Sequence, residues 1–193
     1  MRYIEGEQPE ATVETYQKLG EIAADLHSVS DYPIRTLFDP QVIIQTQFVE
    51  NAKKFSFGEE YLKVAKSLPD FSQFPQTLIH TDIAPANSVE TKEEKIFLTD
   101  WDDAGIGPTV LDLGYPLLGQ FTTEDREIRQ DLAEAFYTAY FAKRQISQDE
   151  KAALFDASLF FALMYVIHGE AGKRWQRIKW ATANRKAIEQ LIP

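Results

Sequence analysis

Asp82, Asn87 and Asp100 are the residues of this chain whose types and spacing could do chemistry. They lie in two short stretches, His80-Thr81-Asp82-Ile83-Ala84-Pro85-Ala86-Asn87 and Ile96-Phe97-Leu98-Thr99-Asp100-Trp101-Asp102-Asp103. A carboxylate, an Asn five residues later, and a strand that ends in Asp together match the needs of phosphoryl transfer from ATP. The first Asp accepts a hydroxyl proton, and the Asn and the later Asp hold Mg²⁺ on the phosphates. Taken singly, Asp82 is equally a turn former bonded to its own backbone, and Asp100 a strand-terminating cap. The pairing with Asn87 favours chemistry, because Mg²⁺ takes only one or two protein carboxylates and completes its shell with phosphate oxygens and water.

The neighbouring residues are expected to support that site. Asp102 and Asp103 beside Asp100 are candidates for a second metal or a cationic substrate, although one structural and one solvated carboxylate is the plainer expectation. His80 is expected to support the catalytic loop by hydrogen bonding. Asp112, between Leu111 and Leu113, would be buried, and a buried carboxylate needs partners. It is expected to accept hydrogen bonds from the catalytic loop. His27 and His168 stand alone in helical stretches and read as packing residues. Trp101, Trp175 and Trp180 could face a cation, but core packing is the default.

Most of the elements that must position these residues read as helices. Thr12 caps a helix to about Ser28 with a stripe of Val13, Tyr16, Leu19, Ile22, Ala23 and Leu26. Asp39-Pro40 starts another, carrying Val42, Ile43, Phe48 and Val49. A third begins near Gly58 and ends before Pro69, and Asp70–Pro75 is a loop. Strand character is confined to Thr77–His80 and to a hairpin of Ser88–Glu90 and Lys95–Thr99 around the turn Thr91-Lys92-Glu93-Glu94. After Pro108 the pattern predicts helices over about 109–121, 123–144, 147–169 and 171–190, with Asp125 and Gln148 or Asp149 near two of the starts.

Composition bounds the partners. The 193 residues are 44% hydrophobic and 12% aromatic, as a folded domain requires. A net charge of −10 disfavours nucleic acid, whose phosphates need Lys and Arg. The charge is uneven, for residues 171–188 hold Lys173, Arg174, Arg177, Lys179, Arg185 and Lys186 with no acid, a stretch that reads as a solvated face. The acidic remainder weakly favours a cationic acceptor. No cysteine is present, so disulfides and thiolate metal sites are excluded and a cytoplasmic location is expected. The longest apolar run, Leu159–Ile167, is about half of the ~20 residues of a membrane span, and no membrane association is expected.

The motif residues resemble the aminoglycoside phosphotransferase and choline kinase-like family, a branch of the protein-kinase-like fold. The matching pieces are His80-x-Asp82 with Asn87, then Leu98 to Gly105, Gly107-Pro108 and Leu111-Asp112-Leu113. The resemblance spans about residues 1–190 and is strongest over 78–114. It implies Asp82 as catalytic base, Asn87 and Asp100 as Mg²⁺ ligands, Asp112 as support of the loop, and the helices after Asp112 as walls of the acceptor pocket. Thr81 stands where the family often has Gly. The implied fold class is α+β and predominantly α-helical: a kinase-like C-terminal lobe forming a single domain over 1–193, with a small β-hairpin carrying the catalytic and metal-binding loops.

The family also has an N-terminal lobe with a phosphate-covering loop and a strand Lys. Here the residues before His80 read as helices, and Lys18, Lys53, Lys54, Lys63 and Lys66 fall in or near them. Residues 1–10, with Arg2-Tyr3-Ile4-Glu5-Gly6, look like the hinge between lobes, so the chain reads as a lobe that starts there. The face toward the other lobe would then be open to self-association. Two functions follow as expectations: transfer of the ATP γ-phosphoryl group to a hydroxyl of a small molecule, or a truncated, inactive lobe that binds a ligand or protein. A metal-dependent hydrolase using His80, Asp82, Asp100, Asp102 and Asp103 is a third, weakened by the presence of only three histidines.

Overall fold

Thr12 opens the first helix, α1 (Val13–Leu26), by accepting the Thr15 N–H on its hydroxyl at 3.2 Å. The computed structural model describes residues 4–31 and 36–193, so Arg2 and Tyr3 of the hinge-like segment lie outside the described residues. The predicted stripe of α1 buries Tyr16, Leu19, Ala23 and Leu26, whereas Val13 is about half exposed. Further along, Glu7 and Glu90 exchange backbone hydrogen bonds of 3.0 and 2.8 Å. The opening segment is thereby paired with the hairpin.

The helix predicted from Asp39 is two helices, α2 (Pro40–Gln45) and α3 (Gln47–Ala52). They part at Thr46, whose hydroxyl bonds back to Val42 O at 2.6 Å. Such a bond competes with the helical ladder. Helix α4 (Gly58–Lys66) follows, and the predicted loop holds one 3₁₀ turn, Phe71–Gln73.

Four strands are present among the described residues, one more than the sequence pattern predicts. β1 (Gln76–Ile79) pairs antiparallel with β4 (Gly105–Pro108), and β2 (Ser88–Glu90) pairs with β3 (Ile96–Leu98) as the expected hairpin. The missed strand is β4, whose Gly-Ile-Gly-Pro sequence has little β-propensity. Its glycines serve close approach instead: a Cβ on Gly107 would lie 2.6 Å from Ile79 Cδ1 and 3.1 Å from Phe38 Cβ.

In the hairpin turn Glu94 has φ 60°, the left-handed conformation that glycine adopts without strain. Glu94 is exposed. Glu94→Gly is therefore expected to raise stability by about 0.5–1 kcal/mol, read as a higher midpoint in urea unfolding.

Helices α5 (Thr109–Gly119) and α7 (Gln148–Met164) pack on each other, as do α1 and α6 (Gln130–Lys143). A Cβ on Gly114 would lie 2.5 Å from Ala157 Cβ, so the α5–α7 approach admits no larger residue. Helix α6 starts seven residues later than expected, because Thr123–Glu127 close a turn: Thr123 N bonds Glu127 O at 2.9 Å and Glu127 N bonds the Thr123 hydroxyl at 3.0 Å. Asp125 accordingly sits in that turn and not at a helix start. Helix α7 begins in a complete capping box of Ser147 and Glu150 and ends in a 3₁₀ turn, Tyr165–Ile167. The last predicted helix is α8 (Ala171–Ala183) and α9 (Arg185–Glu189), interrupted where the Asn184 side chain bonds Trp180 O at 2.8 Å.

The core lies among these helices and beneath β1, with Phe48, Tyr61, Phe71 and Phe160 fully buried in edge-on and tilted contacts. Trp175 is in it too, stacked on Phe57 with ring centroids 5.1 Å apart, so it packs and does not face a cation. No helix among the described residues is long and apolar enough to cross a membrane.

Candidate active site

The loop after β1 is held by one buried carboxylate. Asp112, in the first turn of α5, accepts the backbone N–H of His80 at 2.8 Å and that of Thr81 at 2.6 Å. Its Oδ2 also meets His27 Nε2 at 3.0 Å, and His27 Nδ1 meets the Tyr140 hydroxyl at 2.9 Å. A neutral imidazole satisfies both contacts if Nε2–H donates to the carboxylate and Nδ1 accepts from tyrosine. His27 therefore links α1, α5 and α6, which its isolated position in the sequence did not signal. Thr81 is buried with φ 75°, a strained value for a β-branched residue. Two charge-assisted bonds on either side of that peptide hold it there.

His80 anchors the second loop. Its Nε2 donates to Thr99 O at 2.8 Å, and its ring meets Trp101 edge-on with centroids 4.8 Å apart. Thr99 N in turn donates to Asn87 O at 2.9 Å, so the turn carrying Asn87 lies directly across from the end of β3. Asn87 Nδ2 donates to the main-chain oxygen of Asp82 at 3.1 Å, which leaves the amide oxygen of Asn87 free of that bond. Asp100 is exposed with φ 59°, a conformation that Asp tolerates better than most residues.

Asp82 is half-buried, and its Oδ1 is fully buried with no hydrogen-bond partner among the described residues. Two tyrosines flank it that the sequence did not single out. Burial, and then the Asp82 charge, push the Tyr165 phenol up to about 12, with smaller contributions from Asp103 and Asp100. Burial and the same Asp82 carboxylate hold the Tyr115 phenol well above its usual range. The charges of Asp82, Asp100 and Asp103 thus all act on Tyr165. Asp102 is exposed and is not among the charges acting on either tyrosine.

No group of three or more His, Asp or Glu side chains among the described residues is arranged to hold a metal ion. An Asn oxygen and one Asp carboxylate suffice for Mg²⁺ shared with phosphates, and Asn87 and the exposed Asp100 are residue types that fit that role.

Two hydrogen-bonded loops at the foot of a helical lobe define a protein-kinase-like fold of the phosphotransferase type. The chain belongs to the phosphotransferase enzyme family, APH, whose model matches residues 1–152. Solved structures agree on the fold. A choline/ethanolamine kinase family protein from Mesorhizobium loti is 20% identical with a TM-score of 0.70, over 98% of this chain and 70% of that one. Choline kinase LicA from Streptococcus pneumoniae is 20% identical with a TM-score of 0.66, over 95% and 69%. An aminoglycoside phosphotransferase from Alicyclobacillus acidocaldarius is 14% identical with a TM-score of 0.57, over 98% and 68%. No curated protein sequence matches the chain significantly.

Proposed function

We propose that this chain transfers the γ-phosphoryl group of ATP to a hydroxyl of a small molecule. The observation that carries this reading is the half-buried carboxylate of Asp82, set in a loop that Asp112 fixes through the His80 and Thr81 N–H groups. Its charge acts on Tyr165 together with those of Asp100 and Asp103. With Oδ1 buried, an acceptor hydroxyl would meet this carboxylate on its other oxygen, Oδ2, and give up its proton there as its own oxygen attacks phosphorus. The Asn87 amide oxygen and the Asp100 carboxylate would hold Mg²⁺, which when bound neutralises charge on the nucleotide phosphates. Asp112 and His80 would act on the reaction only by fixing the two loops. LicA, related in fold, has been solved in complex with AMP, which supports a nucleotide as the donor.

Calorimetric titration of the chain with ATP, with and without Mg²⁺, tests the donor side. Saturable binding that requires Mg²⁺ is expected, and Asp100→Ala is expected to abolish the Mg²⁺ requirement together with most of the affinity. Absence of binding to the unaltered chain would favour the second function, a lobe that binds a ligand or protein without turnover.

A further inference from the structure

A cavity of about 160 Å³ opens between α5, α7 and α8. Its walls include Tyr115, Ser158, Phe161 and Tyr165, and two of these are the tyrosines on which the Asp82 charge acts. Asp82 itself does not line the cavity, and these two tyrosines are what relate it to the candidate base. Its size matches a cavity of about 150 Å³ that takes up benzene, so it admits a small acceptor or one arm of a larger one. Tyr115 meets Phe161 edge-on at 5.4 Å, and Phe161 and Tyr165 stack at 6.4 Å, which gives an aromatic wall.

The remaining polar lining is cationic. Arg174 and Arg177, three residues apart on α8 and so on one face of it, both line the cavity, and no Asp or Glu does. Neither guanidinium has a carboxylate within 4.0 Å among the described residues. Arg177 is half-buried. One of its amino groups donates to Leu118 O and Thr122 O, while its Nε is buried without a partner. The Glu124 carboxylate acts on Arg177 without forming an ion pair, and Glu124, Asp125 and Glu170 line a second pocket together with both arginines. Ser158 Oγ accepts the Leu118 N–H at 2.9 Å, which leaves its own proton to donate.

We infer that this pocket selects an acceptor bearing an anionic group, a carboxylate or a phosphate, which Arg174 and Arg177 grip while the aromatic wall holds its carbon skeleton. Arginine's planar fork of donors suits either oxyanion. A cationic acceptor, the expectation from the acidic composition, would instead meet two guanidiniums that no carboxylate approaches within 4.0 Å among the described residues, although Glu124, Asp125 and Glu170 lie with them along the neighbouring second pocket. The global charge and the local charge disagree, and the local one decides at contact distance because solvent and salt screen the remainder. The basic stretch that reads as a solvated face in the sequence turns two of its arginines to the site.

This inference deepens the phosphotransfer reading, but its test needs no nucleotide. Four para-substituted benzyl alcohols are titrated calorimetrically into the whole chain: the carboxylate, the phosphonate, the neutral diol and the aminomethyl compound. One of the two anions is expected to bind about ten to a hundred times more tightly than the diol, and the amine more weakly than the diol. Which anion binds better distinguishes a carboxylate from a phosphate acceptor. Arg174→Gln removes an exposed group with no internal hydrogen bond, avoiding the folding role of Arg177, and is expected to erase most of the anion's advantage. Arg174→Lys should retain part of it. Equal or tighter binding of the diol or the amine, an unchanged preference in Arg174→Gln, or no binding of any probe would overturn the inference. None of these results touches Mg²⁺–ATP binding, and loss of nucleotide binding would leave the anion preference standing.

Discussion

Asp112→Ala is expected to lower the unfolding free energy by about 3–5 kcal/mol, the usual cost of breaking a buried charge-assisted network by removing one partner. The carboxylate is 1% exposed and serves three donors on two other segments: the N–H groups of His80 and Thr81, and His27 Nε2. Alanine leaves all three buried without an acceptor, and nothing holds the strained Thr81 peptide in place. At about 2–4 °C per kcal/mol for a domain of this size, the melting temperature should fall by roughly 10 °C. Asp112→Asn keeps the shape and one acceptor oxygen but sets an amide donor against a donor, so a loss of about half as much is expected. Thermal unfolding of the three proteins measures this. A melting temperature for Asp112→Ala close to that of the unaltered chain would show that the loop is held by something other than this carboxylate.

Asp82→Ala should behave in the opposite way. The side chain has a buried oxygen with no partner, so removing it relieves an unsatisfied group and should leave stability equal or slightly higher. If Asp82 is the base, the rate of phosphoryl transfer should fall about 10²–10⁴-fold, with the drop in kcat and little change in nucleotide affinity, because Asn87 and Asp100 remain. Steady-state kinetics with an acceptor that turns over, set beside thermal unfolding, separates the two effects. An unchanged rate would end the assignment of Asp82. A fall in rate accompanied by a large fall in melting temperature would mean that Asp82 holds the loop instead of acting within it. The contrast with Asp112 is the useful part, since two aspartates thirty residues apart are expected to move stability and activity independently.

Much of the frame could be read from the sequence because it is set by local physics. Thr12 before an apolar stripe, Pro40 after Asp39 and the polar turn between two apolar runs each specify their element within a few residues. The chemistry-bearing stretch was legible for the same reason. Asp82, Asn87 and Asp100 lie on two loops joined by one hairpin, so their spacing along the chain is nearly their spacing in the fold. Where the local signal was weak, the reading failed. Gly105-Ile106-Gly107-Pro108 has no strand pattern and is a strand because β1 and Phe38 close on it. The helix expected over Thr123–Glu127, a stretch with no apolar residue, was outcompeted by side-chain and backbone bonds within a turn.

The sequence by itself thus determined the helical class of the lobe, the hairpin, and the residue types and order of the candidate site. Only the tertiary structure decided what surrounds that site. His27 reaches Asp112 across 85 positions, and Tyr115, Tyr165, Arg174 and Arg177 meet in one pocket from three elements. Their convergence follows from how α5 and α7 pack and where α8 returns. Packing of that kind is encoded in the joint volumes of many distant side chains, and no single stretch carries a pattern that reveals it.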